Sequence, residues 1–216
     1  MTREQYQHNL DALKRYIAEM GEKSYYAVEN SMKSLSSLDI ELAEKVIQGD
    51  EIIDEYELKI ERCVSQLIAR QSPTAGDMRL VTACFKIAID LERMSDLAVD
   101  IAKMTKCLEQ EHTKPFANIL KMGEVGEDML EQSIKAFETL DENLARSTAS
   151  KDDIIDRFFH ETQIELIEMM VENKSMINNA SYLLFVLRYL ERIGDHACNI
   201  CESVVYMASG ERVDLN

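Results

Sequence analysis

Apolar side chains recur every three or four residues along most of the chain, which is the period of an amphipathic α-helix. Near the start of the chain the apolar positions are Leu10, Leu13, Ile17, Met20, Val28 and Met32. A later stretch repeats this spacing at Leu80, Cys84, Ile87, Leu91, Met94, Ala98 and Ile101. The pattern predicts long helices, each of which buries one apolar stripe against its neighbours.

Residues that favour helix ends divide the chain into six predicted helices. Their expected ranges are 3–34, 38–70, 73–109, 115–147, 151–173 and 176–208. Ser72 with Pro73 and the Lys114-Pro115 pair mark starts, because a cap and a proline in the first turn both favour a helix N-terminus. Ser37 or Asp39 is expected to cap the second helix, and Ser150 the fifth. Gly210 is a suitable stop for the last helix.

One motif occurs twice, 99 residues apart. Residues 91–101 are LERMSDLAVDI, and residues 190–200 are LERIGDHACNI. Glu, Arg and Asp recur at the same places, and Asn199 stands where the first copy has Asp100. Such self-similarity indicates an internal duplication.

Each copy of the motif lies in the third helix of a group of three. We therefore predict an all-α fold of two tandem antiparallel three-helix bundles. The expected domains are residues 1–111 and residues 112–216. The middle helices follow a different offset, since Asp50 matches Asp152 best, so the connecting loops must differ in length.

Composition and charge narrow the classes of function. The chain has 24 Lys and Arg against 40 Asp and Glu, a formal net charge of −16. Because nucleic-acid affinity depends mainly on Lys and Arg, we expect no nucleic-acid partner. The sequence contains no run of about 20 apolar residues, so we predict no transmembrane span. Five cysteines, an odd number within helical patterns, favour a reduced cytoplasmic protein.

Acidic residues form rows along two predicted helices. Glu92, Asp96 and Asp100 are spaced i, i+4, i+8 and therefore line one face. Like charges at this spacing destabilise a helix by roughly 0.2–0.5 kcal/mol per pair. The preceding helix adds Asp50, Asp54, Glu57 and Glu61. If the two helices are antiparallel neighbours, both rows can face one groove, where carboxylates about 4 Å apart repel by about 4 kcal/mol at an effective dielectric near 20.

Two interpretations of the rows stay open from spacing alone. In one, the face is solvated and partly neutralised by Arg93 and Arg192. In the other, carboxylate oxygens bind di- or trivalent cations. Recurrence in the second half favours the metal hypothesis, although a duplication could preserve the pattern passively. The corresponding residues there are Asp152, Asp156, Glu191, Asp195 and Asn199.

The histidines and the cysteine pair near these residues are weaker candidates for metal ligation or catalysis. His196 points about 100° away from Asp195 on a helix, which favours a hydrogen-bonding or interface role over metal ligation. His160 lies one turn after Asp156 and is a weak candidate ligand. Cys198 and Cys201 form a C-x-x-C deep in the last helix, where packing is the expected role, since redox pairs sit at helix N-termini. No P-loop, dinucleotide-binding or nucleophile-elbow motif occurs, so the sequence nominates no enzyme.

Taken together, these motifs resemble the PhoU family, which regulates bacterial phosphate-specific transport. Residues 191–200 resemble its E-R-x-x-D-H-x-x-N-I signature, and residues 92–96 resemble the first-half partner of that signature. Residues 71–79 are similar to its Q-x-P-x-A-x-D-L-R turn, and the carboxylates at 50, 54 and 57 match its acidic run. The resemblance covers essentially the whole chain.

The resemblance implies a regulator of phosphate homeostasis rather than an enzyme. Members are cytoplasmic, form two side-by-side three-helix bundles and usually assemble as homodimers. They repress phosphate uptake and the phosphate-starvation response, and are thought to link the phosphate ABC transporter to a sensor histidine kinase. Without an anchor or a basic amphipathic face in this sequence, contact with the membrane is expected only through proteins.

The resemblance also implies one multinuclear iron or zinc cluster per repeat, with magnesium or manganese as alternatives that accept the same oxygen ligands. In the first half the implied ligands are Asp50, Asp54, Glu57, Glu92, Asp96 and Asp100. In the second half they are Asp152, Asp156, Glu191, Asp195 and Asn199. Phe159 stands where the first half has Glu57, so we expect fewer anionic ligands in the second site.

Overall fold

A computed structural model describes residues 3–70, 74–108 and 117–215. Within these ranges the chain forms six long α-helices, one short α-helix and the 3-10 helix Lys174–Met176, without β-strands. The helices are α1 Arg3–Ser37, α2 Ile40–Arg70, α3 Ala75–Cys107, α4 Ala117–Thr139, α5 Glu142–Ala149, α6 Asp152–Glu172 and α7 Ile177–Ser209. The predicted all-α architecture is confirmed. The predicted domain boundary and the Ser72-Pro73 and Lys114-Pro115 signals lie outside the described residues, and the observed cap of α3 is Thr74.

A two-residue joint connects α1 to α2. Leu38 has a φ of 53°, in the left-handed region, and ends α1. The next residue, Asp39, donates its backbone N–H to the Ser34 carbonyl at 2.9 Å, which is the longer hydrogen bond of a Schellman motif. Its carboxylate accepts a hydrogen bond from the Leu42 N–H at 3.0 Å. Asp39, one of the two predicted caps, is therefore the N-cap of α2.

The second half contains the same joint, and it divides a helix that we predicted to be continuous over residues 115–147. Leu140 also has a φ of 53°, so α4 ends at Thr139. Asp141 caps α5 by accepting a hydrogen bond from the Leu144 N–H at 3.0 Å. The predicted continuation was wrong because a leucine in the left-handed region carries no sequence signal comparable to glycine.

The predicted cap of the following helix was also wrong. Ser150 is the C-cap of α5, and α6 begins after Lys151, which makes no side-chain capping hydrogen bond. Together α5 and α6 are an interrupted counterpart of α2, offset by 102 residues. Five buried positions agree at this offset, pairing Ala43 with Ala145, Val46 with Thr148, Ile53 with Ile155, Ile60 with Thr162 and Val64 with Leu166.

The third helix of each repeat lies at the centre of the molecule. α3 packs against α1 and α2, α7 packs against α4, α5 and α6, and the two pack against each other. The predicted apolar seam of α3 is buried at Leu91, Met94, Ala98 and Ile101. Gly210, with a φ of 80°, ends α7 as predicted. None of the helices in the described ranges has the length and apolar character needed to cross a bilayer.

The left-handed joint generates a stability prediction. Leu140 is 42% exposed, so replacing it with glycine removes backbone strain at little cost in buried area. We expect Leu140→Gly to raise the free energy of unfolding by about 0.5–1 kcal/mol. The control is Leu38→Gly, which relieves the same strain but deletes a side chain packed against the core. Urea unfolding measures both, and equal shifts in the two variants would contradict the explanation.

Two acidic clusters as a candidate functional site

The first acidic cluster lies where α2 meets α3. Burial raises the pKa of the Asp50 carboxyl, and the nearby charges of Asp54 and Asp96 raise it further. Burial likewise raises the pKa of Glu57, with added repulsion from Asp54 and Asp96. Carboxylates from both helices therefore lie within electrostatic reach of one another, as the helical spacing predicted.

Glu92 is the most perturbed member of this cluster. Burial, repulsion from Asp96 and repulsion from Glu57 raise the pKa of its carboxyl to about 7, although Arg93 acts in the opposite direction. The Nε atom of Arg93 lies 3.3 Å from Glu92 Oε2. That is an ion-pair distance, yet Oε2 is buried and has no hydrogen-bond donor among the described residues. One oxygen of this carboxylate is thus removed from water without a compensating hydrogen bond.

Three side chains partly stabilise the negative charge of the first cluster. The Nη1 atom of Arg93 lies 2.9 Å from Asp96 Oδ2, which confirms the predicted pairing of this arginine. Ser95 donates its hydroxyl to Asp50 Oδ1 at 2.9 Å. This bond lowers the pKa of Asp50, in opposition to the stronger effect of burial. The hydrogen bond to Asp100 raises the pKa of the Lys103 ammonium most, and the charges of Asp50 and Asp96 raise it further.

The second acidic cluster lies where α6 meets α7. Asp152 is only 6% exposed. Burial, followed by the charges of Asp156, Asp195 and Glu191, raises the pKa of its carboxyl to about 7. The pKa of Glu191 is also raised, first by burial and then by Asp195, although Arg188 opposes the rise. The Nη1 atom of Arg188 lies 2.6 Å from Glu191 Oε1, while Glu191 Oε2 is buried without a donor among the described residues.

One difference between the two motif copies changes the surroundings of a buried carboxylate. The first motif has Ser95, whereas the second has Gly194. The space beside Gly194 is filled by the ends of the Asp152 and Ile155 side chains, so a serine at this position would require them to move. Asp152 Oδ1 is consequently buried without a hydrogen-bond donor from the described part of the chain.

Two predicted ligands extend towards the opposite repeat. Asp100 Oδ1 accepts a hydrogen bond from Lys103 Nζ at 2.9 Å, and its charge raises the pKa of Tyr189 on α7, second to burial. Asn199 donates its amide to Asp90 Oδ1 of α3 at 3.3 Å. These positions correspond in the repeat, and their recorded contacts place them beside the α3–α7 interface.

The two histidines and the two cysteines of the C-x-x-C motif have environments that differ from those of the acidic residues. His196 Nδ1 lies 2.9 Å from Asp90 Oδ1, in the interface position that its helical angle favoured. His160 is exposed and meets the ring of Phe159 edge-on. Cys198 and Cys201 are buried, and burial raises the pKa of both thiols, that of Cys201 to about 12. Neutral, buried thiols agree with the packing role expected for the C-x-x-C pair.

The donor chemistry of both clusters fits a hard or borderline cation. Every carboxylate offers oxygen, and the oxygens without hydrogen bonds are Glu92 Oε2, Glu191 Oε2 and Asp152 Oδ1. In the described ranges, no three acidic, histidine or cysteine side chains stand together as a preformed site for one ion. The fit to a cation therefore rests on the carboxylate oxygens that the clusters offer and on the three of them that are buried without a hydrogen-bond donor among the described residues.

Four residues that contact the predicted site residues were not identified from the sequence. Lys103 and Arg188 each lie three residues from the carboxylate that they pair with, a spacing that is readable on a helix. The role of Ser95 was visible only as a difference between the two motif copies. Asp90 gave no signal, because its partners His196 and Asn199 come from the other repeat.

Comparisons of sequence place the chain among known proteins. The family model of the PhoU domain matches residues 17–105 and 119–204. A protein of Clostridium acetobutylicum named phosphate-specific transport system accessory protein PhoU homolog is 38% identical over 218 residues, covering 100% of both chains. A protein of Aquifex aeolicus with the same name is 38% identical over 205 residues, covering 94% of this chain and 93% of the relative.

Solved structures show the same fold. The crystal structure of the phosphate transport system regulatory protein PhoU from Streptococcus pneumoniae is 31% identical and superposes with a TM-score of 0.91. That match covers 97% of this chain and 99% of the other. The crystal structure of PhoU from Pseudomonas aeruginosa gives a TM-score of 0.92 at 31% identity, over 95% and 100% of the two chains.

The raised pKa of Asp152 predicts that the free energy of unfolding depends on pH. The folded-state pKa of about 7 lies above the ordinary value of 3.8, so the folded state binds this proton more tightly than the unfolded state does. The free energy of unfolding should therefore fall as pH rises from about 4 to about 7. Asp152→Asn should remove this loss and be more stable than the unmodified chain by about 1–3 kcal/mol at about pH 8, with a much smaller difference near pH 4.

Urea unfolding in the presence of a chelator, repeated across this pH range, measures the effect. The matched control is Asp153→Asn, which removes an adjacent exposed carboxylate that raises the Asp152 pKa less than Asp156, Asp195 or Glu191 does, so it should shift the pH profile only slightly. Parallel profiles for Asp152→Asn and the unmodified chain would show that the buried carboxyl is not the source.

Proposed function

The chain belongs to the PhoU family, and we propose that it is an accessory and regulatory protein of phosphate-specific transport. The observation that carries this proposal is the 38% identity, over the whole length of both chains, with a relative named for that role. We further propose that it represses phosphate uptake and the phosphate-starvation response. In this role it links the phosphate ABC transporter to a sensor histidine kinase.

The proposed setting is the cytoplasm, where the chain acts as a homodimer and meets the membrane only through its protein partners. A formal net charge of −16 supports partners with basic surfaces, because opposite potentials speed and orient association. The same charge argues against a nucleic-acid partner.

We propose that both acidic clusters hold multinuclear iron or zinc, with magnesium or manganese as alternatives. Asp50, Asp54, Glu57, Glu92, Asp96 and Asp100 would hold the first, and Asp152, Asp156, Glu191, Asp195 and Asn199 the second. A bound cation supplies the positive charge that neutralises these oxygens. The oxygens of Glu92, Glu191 and Asp152 that are buried without donors support the proposal in both repeats. Phe159 in place of Glu57 favours the lower anionic ligand count in the second.

Two alternative functions have specific support. A pKa of about 7 at Glu92 and Asp152 suits general acid–base catalysis, which favours a metal-dependent hydrolytic or redox enzyme. The ion pairs of Arg93 and Arg188 favour a metal-free scaffold instead. Elemental analysis of protein purified without chelator separates the scaffold from the other two. Turnover of phosphoesters or oxygen that disappears in Asp96→Ala and Asp195→Ala would identify the enzyme.

Deletion of the gene tests the regulatory role. We expect phosphate-starvation genes to become constitutively active at high external phosphate, because the repressing link is lost. A reporter fused to such a gene, together with phosphate uptake, measures the response. Expression of the unmodified chain should restore repression. Normal repression and uptake in the deletion strain would contradict the proposal.

Chelation tests the metal proposal. A cation that binds only the folded state adds about 2.7 kcal/mol when present at about a hundred times its dissociation constant, so its removal should lower the melting temperature. The shift should be smaller in Glu92→Gln/Asp96→Asn, which keeps only the second cluster. It should vanish when Asp152→Asn/Asp195→Asn is added. Calorimetry and elemental analysis measure stability and metal content, and equal shifts in all three proteins would refute the sites.

A further inference from the structure

An exposed apolar stripe runs along the outer face of α6. Its aliphatic members are Ile164, Ile167 and Val171, and the exposed His160 continues the line one turn earlier, so the four positions are spaced by four, three and four residues. Ile164 is 59% exposed, Ile167 49% and Val171 78%. This is the alternating spacing of a helix that pairs with another helix through knobs-into-holes contacts. Among the described residues α6 packs against α4, α7 and the 3-10 helix Lys174–Met176, and these contacts leave Ile164, Ile167 and Val171 exposed.

The first repeat provides an internal control for this stripe. At the 102-residue offset fixed by the buried positions, the equivalent residues of α2 are Leu58, Arg62, Ser65 and Ala69, all exposed. The first repeat therefore folds with Arg62, Ser65 and Ala69 at the positions where α6 has three large aliphatic side chains. Their presence in α6 costs contact between apolar surface and water, by roughly 25 cal/mol per Å².

A row of glutamates lies directly beside the stripe. Glu161, Glu165, Glu168 and Glu172 are spaced four, three and four residues apart, one residue after each member of the stripe. All four are exposed, and none forms an ion pair with another residue in the described part of the chain. The equivalent row of α2 is Lys59, Cys63, Gln66 and Arg70, which is not acidic. The acidic row therefore accompanies the apolar stripe and is absent where the stripe is absent.

We propose that this face of α6 docks an amphipathic helix of a partner protein whose apolar stripe is flanked by Lys and Arg. The aliphatic side chains supply the buried contact, and the glutamate row selects a basic flank on one side. The stripe and the glutamate row lie on the exposed face of α6, so docking there does not depend on whether the acidic clusters bind metal.

Charge disfavours the other occupants. In a pair of identical subunits related by a two-fold axis, the same patch meets itself, which brings the glutamate rows of the two copies together. An anionic membrane surface would repel the same row. A basic helix removes this repulsion and forms ion pairs with the row.

A labelled synthetic peptide tests the surface with the full chain. The probe has about four heptads with Leu at a and d and Lys at e and g, and the Lys residues keep it from pairing with itself. We expect fluorescence anisotropy to show binding that weakens at least about tenfold in Ile164→Arg/Ile167→Ser/Val171→Ala. This variant carries the first repeat's own residues, and circular dichroism should confirm unchanged folding. Glu161→Gln/Glu165→Gln/Glu168→Gln/Glu172→Gln should also weaken binding and reduce its salt dependence.

Matched controls separate docking from attraction to a negative protein. Ile52→Ser/Leu58→Ser removes exposed apolar residues from α2 and should bind the peptide unchanged. A scrambled peptide with the same Lys content but no apolar stripe, and a peptide with Glu at e and g, should both bind much more weakly. Equal binding of the scrambled peptide, or undiminished binding by the α6 stripe variant, would overturn the proposal.

Two further measurements assign the face to another occupant if the proposal is wrong. A dimer seen in sedimentation of the unmodified chain, and lost in the stripe variant, would mean that a second copy covers the face. Flotation with phosphatidylcholine vesicles that is lost in the same variant would mean that a lipid surface does. Either outcome replaces the basic helix as the occupant.

Discussion

Partly buried carboxylates repel one another at two places in this bundle, where α2 meets α3 and where α6 meets α7. The apolar seams of α3 and α7 hold these helices at the centre of the bundle, which fixes their acidic faces against α2 and α6. The carboxylates cannot separate without loss of this packing. Their charge is therefore met locally, by Arg93, Lys103 and Ser95 in one repeat and by Arg188 in the other. Protonation of Glu92 and Asp152 near neutral pH is the remaining response that the protein alone provides.

Sequence reasoning succeeded where one helix determines the outcome. Helical periodicity identified the long helices and the seam of α3, because burial of an apolar stripe repeats every few residues. Spacing on single helices also placed the acidic rows. It failed at Leu140 and Ser150, where backbone dihedral angles decide the helix ends and neither residue type reveals them. It also could not give Asp90 a role, because contacts between repeats depend on how two bundles pack.

Duplication has produced two related clusters that are chemically distinct. The first has a hydroxyl donor at Ser95 and an extra carboxylate at Glu57, whereas the second has Gly194 and Phe159. The Asp152 carboxylate occupies the space that Gly194 leaves open, and Asp152 is more deeply buried than its counterpart Asp50. A shared fold therefore does not imply equal response to pH in the two repeats.

The interruption between α5 and α6 changes where the first carboxylate of each cluster sits on its helix. α2 is continuous over 31 residues, so Asp50 lies within it. In the second repeat the equivalent helix is interrupted at Ser150 and Lys151, and Asp152 is the first residue of α6. Because the N-terminus of a helix carries a partial positive charge, the backbone of α6 attracts the Asp152 carboxylate in a way that mid-helix Asp50 lacks.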